Sequence, residues 1–180
     1  VFRGEIHRAC KTFAGMRPLA AANALINDGE RPPLEDGHVL DVVSLRPDDV
    51  VGMVGHFAPL LRPLRDRVAE VNVFEKELSP GAMPEEEAYT VLPRCSVAII
   101  SATTILNGTL DPLLDACGAC REVILLGQTT PLRAQPFEGT PVTWLSGAYV
   151  QEPEGLLRAV SEGGGVQAFK AFIRRVNIRL

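Results

Sequence analysis

The sequence predicts an α/β fold, a Rossmann-like parallel sheet flanked by helices over residues 39–180, preceded by a partial N-terminal domain fragment. Three observations predict it. Short apolar runs alternate with segments whose apolar residues recur at helical spacing. The runs are apolar throughout rather than alternating, as strands covered by helices on both faces require. Strand–helix alternation in turn gives crossover connections and a parallel strand order.

The elements follow in order. Residues 1–27 are too few to bury a core of their own and read as the end of a domain. Within them Leu19–Asn27 is rich in alanine and helical in pattern. Residues 28–38 carry glycines, prolines and charges and read as a linker. Val50–Val54 is the first buried-strand run and ends in Gly55; Leu60–Val68 has helical spacing. Val71–Phe74 is the second strand, ending in Glu75, and Ser79–Pro84 is a turn before a short helix over Glu85–Leu92. Val97–Ile100 is the third strand, followed by a polar loop over Ser101–Thr109 and a helix over Leu110–Ala116. Val123–Leu126, ending in Gly127, is the fourth strand, and Val142–Leu145, ending near Gly147, is the fifth. Two helices, Glu154–Glu162 and Val166–Val176, close the order.

Strand ends decide where function sits. In an open parallel sheet a ligand lies outside the carboxyl ends of the strands, where the strand order reverses. If the second strand flanks the first on one side and the third on the other, the turn at Gly55 and the loop after Ser101 face one crevice. Gly55 lets a ligand approach the amides that open the next helix, with His56 beside it. The three-glycine dinucleotide fingerprint is absent, and a tight strand–helix turn explains the same glycines. Glu75 stands twenty residues after Gly55, where dinucleotide-binding folds use an acid on ribose hydroxyls. A carboxylate there can also pair with a cation or cap a loop. Thr103, Thr104, Asn107 and Thr109 form the densest polar cluster of the chain and can bind an anion together with helix-start amides. Helix capping would use one or two of them. Thr129, beside Gly127, and Gly147, after Ser146, repeat the pattern at the fourth and fifth strand ends.

Composition narrows the function further. With 22 acidic and 18 basic residues the net charge is −4, and no basic excess exists to release counterions from nucleic acid. Lys170, Arg174, Arg175 and Arg179 flank Phe169, Phe172, Ile173 and Val176, the pattern of a final amphipathic helix. No apolar run approaches the ~20 residues that span a bilayer, and no signal peptide is recognisable, so a soluble cytoplasmic protein is expected. Four cysteines are too sparse for a disulfide framework. Cys117 and Cys120 have redox or zinc spacing but sit at the end of a helix rather than at its start, and no second pair has matching spacing. Cys95, just before a strand, reads as core. His7 and Cys10 form one further two-residue ligand pattern.

With these segments in view, the chain resembles a bacterial and archaeal family described as a putative heavy-metal chelation domain. The resemblance rests on Val51-Gly-Met-Val-Gly55, Val73-Phe-Glu75, Ala102-Thr-Thr-Ile-Leu-Asn-Gly-Thr-Leu-Asp111 and Leu126-Gly-Gln-Thr-Thr-Pro-Leu132. The ending from Val160-Ser-Glu-Gly-Gly-Gly165 to Val176-Asn177 matches as well. It implies a Rossmann-like C-terminal domain, a smaller N-terminal companion with an enolase-N-terminal-like fold, and a pocket between them. Residues 1–27 correspond to the end of that companion, shortened around Pro18–Ala22. Carried over by motif, the candidate site residues are Gly55, Glu75, Thr103, Thr104, Asn107, Thr109, Thr129 and Gly147.

Two functions follow as expectations. One is binding of an anionic or nucleotide-like small molecule between the two domains, with or without catalysis. The other is handling of a heavy metal or metallated cofactor, with His7, Cys10, His56 and Glu75 as ligands, although soft metals favour thiolate or imidazole donors over Glu, Thr and Asn. The expected partner is therefore a small molecule or a metal, not nucleic acid or membrane. A metal ion or a nucleotide-like cofactor fits either expectation, and both are compatible with a homo-oligomer.

Overall fold

The computed structural model describes residues 16–28, 33–77 and 79–180. His7 and Cys10 lie outside the described residues. Among the described residues eight strands form one sheet: β1 (Glu35–Asp36), β2 (Val50–Val54), β3 (Glu70–Glu75), β4 (Met83–Pro84), β5 (Val97–Ser101), β6 (Glu122–Leu126), β7 (Trp144–Val150) and β8 (Ile173–Arg179). Their order is β1-β8-β7-β6-β5-β2-β3-β4. From β7 to β4 every pairing is parallel, while β8 joins β7, and β1 joins β8, antiparallel. The helices are α1 (Met16–Asp28), α2 (Val39–Val42), α3 (Ala58–Arg65), α4 (Ala88–Val91), α5 (Thr103–Asn107), α6 (Leu110–Ala116), α7 (Pro153–Ser161) and α8 (Val166–Phe169).

The apolar strands divide their side chains between two cores. Val54, Ala98, Ile100, Val123, Leu125 and Leu145 enter the larger core, which Leu113, Leu114 and Leu19 of α1 complete. Val51, Met53, Val73, Val97, Ile99 and Ile124 turn to the other face, under Leu40 of α2 and Leu60 and Leu64 of α3. Both faces are covered, which is why these strands carry no polar alternation. Val50–Val54 and Leu110–Ala116 form the strand and helix expected of them.

The turn read over Ser79–Pro84 contains β4, and the fifth strand, read as Val142–Leu145, is Trp144–Val150. Three further segments differ from expectation. Val166–Val176 is not one helix: α8 ends at Phe169, a 3-10 turn covers Lys170–Phe172, and β8 begins at Ile173. The helical spacing of Phe169, Phe172, Ile173 and Val176 is real. However, Ile173, Val176 and Ile178 are β-branched and suit a pleated surface, and β7 offers seven register partners, from Val150↔Ile173 to Trp144↔Arg179. Arg179 also lies over the Trp144 ring, 5.8 Å from its centroid. Second, the segment read as a linker contains β1. Asn177, fully buried, donates from Nδ2 to the carbonyls of Glu35 and Gly37 at 3.2 Å each, which fixes that segment against the sheet. Third, the polar loop after β5 is mostly helical, because Thr103–Asn107 forms α5. Its turn closes on Gly108, whose φ of +70° stops the helix.

Candidate functional site at the carboxyl edge

The strand order reverses where the sequence places the reversal. β3 lies on one side of β2 and β5 on the other, so the ends of β2 and β5 bound the switch point. Gly55 has φ +94°, its N–H donates to the Phe74 carbonyl at 2.8 Å, and a Cβ on it would stand 2.9 Å from Ser101 Cβ. The glycine turn and the threonine-bearing segment therefore meet at one edge.

The polar groups there are largely engaged with one another. Glu75 accepts from the His56 backbone N–H at 2.9 Å on Oε1 and from the Ser79 hydroxyl at 3.1 Å on Oε2. It ties two loops, the capping role that its position also allows. Thr104, buried, donates its hydroxyl to the Ser101 carbonyl at 2.7 Å. Thr103, exposed, shares a 2.8 Å hydroxyl–hydroxyl hydrogen bond with Ser101. Asn107 is exposed at the end of α5, while the hydroxyl oxygen of Thr109 is buried with no partner among the described residues. The Thr129 carbonyl accepts from Asn23 Nδ2 of α1 at 2.9 Å, so the N-terminal helix rests on that loop.

Beside this switch point a cavity of about 570 Å³ opens over the α3 face of the sheet. Its floor is the end of β6, at Leu126 and Gly127, and the middle of β7, at Ser146, Gly147 and Ala148. Phe57 and Leu60, at the start of α3, with Val39 and Ile173, give it apolar walls. His38, Gln128, Lys170 and Arg175 supply polar groups at its border. Of the site residues read from the sequence, Gly147 lines this cavity. Gly55, His56, Glu75, Thr103, Thr104, Asn107, Thr109 and Thr129 do not; they continue the same edge along the neighbouring strand ends or lie over the opposite face.

The cavity's charge comes from residues that motif reading passed over. Lys170 and Arg175 are exposed and have no acidic partner among the described residues. The neighbouring Arg174, by contrast, is held in a 2.8 Å charge contact by Asp36, though without the alignment of a hydrogen bond. His38 caps α2 by accepting from the Leu40 N–H at 3.3 Å on Nδ1. A neutral ring bonded this way carries its proton on Nε2 and can donate it. A reading of residues 173–179 as a strand would have found Arg175, since Ile173 and Arg175 then share a face by the two-residue period. His38 has a weaker signal, its place directly before the apolar pair that opens α2.

Metal ligation finds less support. No group of three His, Cys, Asp or Glu side chains among the described residues could hold a metal ion. Glu75, one of the four proposed ligands, already has a donor on each oxygen. The described donors at this edge do not by themselves make up a soft-metal centre.

Residues 38–179 match the family described as "Putative heavy-metal chelation". The chain belongs to that family. The proteins it matches do not define an activity. An uncharacterised protein of Methanocaldococcus jannaschii is 25% identical over 142 residues, which cover 76% of this chain and 55% of that protein. The chain thus spans about half the length of the curated relative it matches. A crystal structure of a family member of unknown function from Pyrococcus horikoshii aligns with a TM-score of 0.83 at 25% identity, over 91% of this chain and 67% of that one. A second, from Desulfitobacterium hafniense, aligns with a TM-score of 0.68 at 27% identity, over 74% and 54%. Among the described residues of this chain, no helix is long and apolar enough to cross a membrane.

Proposed function

We propose that this protein binds a small organic anion in the cavity at the carboxyl edge of the sheet. One observation carries the reading: two cations without acidic partners among the described residues, Lys170 and Arg175, border a concave, largely apolar space at the end of β6 and the middle of β7. Its volume of about 570 Å³ suits a metabolite rather than a macromolecule. In this reading Lys170 and Arg175 engage the charged group, the Arg175 guanidinium being able to bind a carboxylate or phosphate with two N–H groups at once. His38 Nε2 donates a further hydrogen bond, and Phe57, Leu60 and Ile173 bury the apolar part of the ligand.

The test is a thermal-shift screen with nucleotides, sugar phosphates and polycarboxylates, followed by calorimetry of each hit. Lys170→Ala and Arg175→Ala are each expected to weaken binding roughly tenfold, as loss of a charge-assisted contact at a partly solvated site does. Thr104→Ala, whose hydroxyl serves the backbone of α5, should leave affinity unchanged. A Lys170→Ala/Arg175→Ala double variant that binds like wild type, or a protein that responds to zinc, nickel or cobalt and to no anion, would refute the reading.

A further inference from the structure

At the opposite, amino-terminal edge of the sheet lies a second chemical feature that the cavity does not use. Residues 117–120 form a turn between α6 and β6, closed by the Cys120 N–H on the Cys117 carbonyl at 2.9 Å. Such an i to i+3 bond holds the two Cα atoms within roughly 7 Å, the range a disulfide spans without backbone movement. The two thiols shift one another's pKa, Cys117 upward and Cys120 downward. Cys117 is fully buried, whereas Cys120 is only partly so and donates in turn to the Leu92 carbonyl at 3.7 Å. All three described cysteines are free thiols.

We propose that Cys117 and Cys120 are a redox-active dithiol that closes to an intramolecular disulfide at the expense of a small-molecule disulfide. Cys120 is the attacking sulfur because it is the accessible one. Hydrogen bonding from Cys117 also holds its pKa below the ordinary thiol value, while that bond and burial push Cys117 upward. The Cys120 thiolate attacks one sulfur of the oxidant RSSR, and the released RS⁻ takes a proton from water. Cys117 then loses its proton to solvent and attacks Cys120 Sγ, displacing the second RS⁻. The net change is two protein thiols and RSSR giving one protein disulfide and two RSH. Cys95 is the spectator: burial pushes its thiol up to about 11, and its S–H is spent on the Val91 carbonyl at 3.4 Å. A bridge across four residues constrains little of the unfolded chain, so its use is to store two electrons rather than to staple the fold.

The test is alkylation and mass mapping of the intact protein after equilibration with oxidised glutathione. Wild type and Cys95→Ala should each lose two alkylatable thiols and two hydrogen masses within residues 95–121, and dithiothreitol should restore both. Cys117→Ser should stop at a glutathione adduct on Cys120, and Cys120→Ser should form neither bridge nor adduct in that segment. Because Cys117 is in the core, brief limiting alkylation of reduced wild type supplies a check that needs no variant: Cys120 should be modified first. A bridge that includes Cys95, three thiols that persist in oxidised glutathione, or modification of Cys95 or Cys117 ahead of Cys120 would overturn the proposal.

Discussion

Replacing Asp49 by alanine is expected to destabilise the protein by about 3 kcal/mol at neutral pH, the lower end of the cost of breaking a buried ion pair. Asp49 is 2% exposed at the amino end of β2. Its carboxylate accepts from Arg121 Nη1 and Nη2 at 3.0 and 2.9 Å, from the Ser96 hydroxyl at 2.7 Å and from the Arg46 N–H at 2.7 Å. One side chain thus ties together the segments that lead into β2, β5 and β6. Alanine strands those donors, although Arg121 keeps the Ser44 carbonyl at 2.9 Å and can reach water, which keeps the cost from the upper end. The effect carries a pH signature. Burial alone would raise the carboxyl, but the hydrogen bonds from Arg121, Ser96 and the Arg46 amide outweigh it and hold the pKa at about 2, against an ordinary 3.8. A folded pKa below the unfolded one gives stability that is complete above about pH 4 and is lost as pH falls toward about 2. Urea titrations of wild type and Asp49→Ala should therefore differ fully at pH 7 and converge in acid. Equal midpoints at pH 7 would show that the network contributes no net stability, and a gap that is constant down to pH 2.5 would show that the ionised carboxylate does not carry it.

The sheet was legible because its signals are local. Val50–Val54 and Val97–Ile100 are strands on their own composition, and the glycines and polar residues after them mark the carboxyl edge. The family, too, could be read from those strand ends. What escaped was set by distant partners. Ile173–Arg179 has both a helical and a two-residue apolar pattern, and the free edge of β7 decides between them. Once it does, Arg175 faces the cavity, and Asn177 holds the segment that brings Gly37 and His38 to the border of the same cavity. The threonines after β5 showed the reverse difficulty. Their density suggests ligand contact, yet Ser101, Thr103 and Thr104 bond to one another and to the backbone around α5. Density of polar residues records where hydrogen bonds are needed, not whether a ligand or the chain supplies them.

Gly55→Ala provides the sharpest test of the switch-point geometry and should cost about 3 kcal/mol. An L-residue at φ +94° loses roughly 1–2 kcal/mol to backbone sterics alone. The new methyl group would also stand 2.9 Å from Ser101 Cβ, an atom fixed to the neighbouring strand that cannot swing aside. Relief requires the ends of β2 and β5 to part, and the Gly55 N–H to Phe74 carbonyl bond and the His56 N–H to Glu75 bond lie on the segment that must move. Gly52→Ala is the fitting comparison. It also sits in β2, without positive φ, and the atom nearest its added methyl is Leu92 Cδ2 at 2.6 Å, the end of a flexible side chain. That substitution should cost about 1 kcal/mol, the scale of modest overpacking. Denaturant midpoints measured side by side decide the matter. If Gly55→Ala is no more harmful than Gly52→Ala, the β2 and β5 ends do not approach as closely as the structure places them.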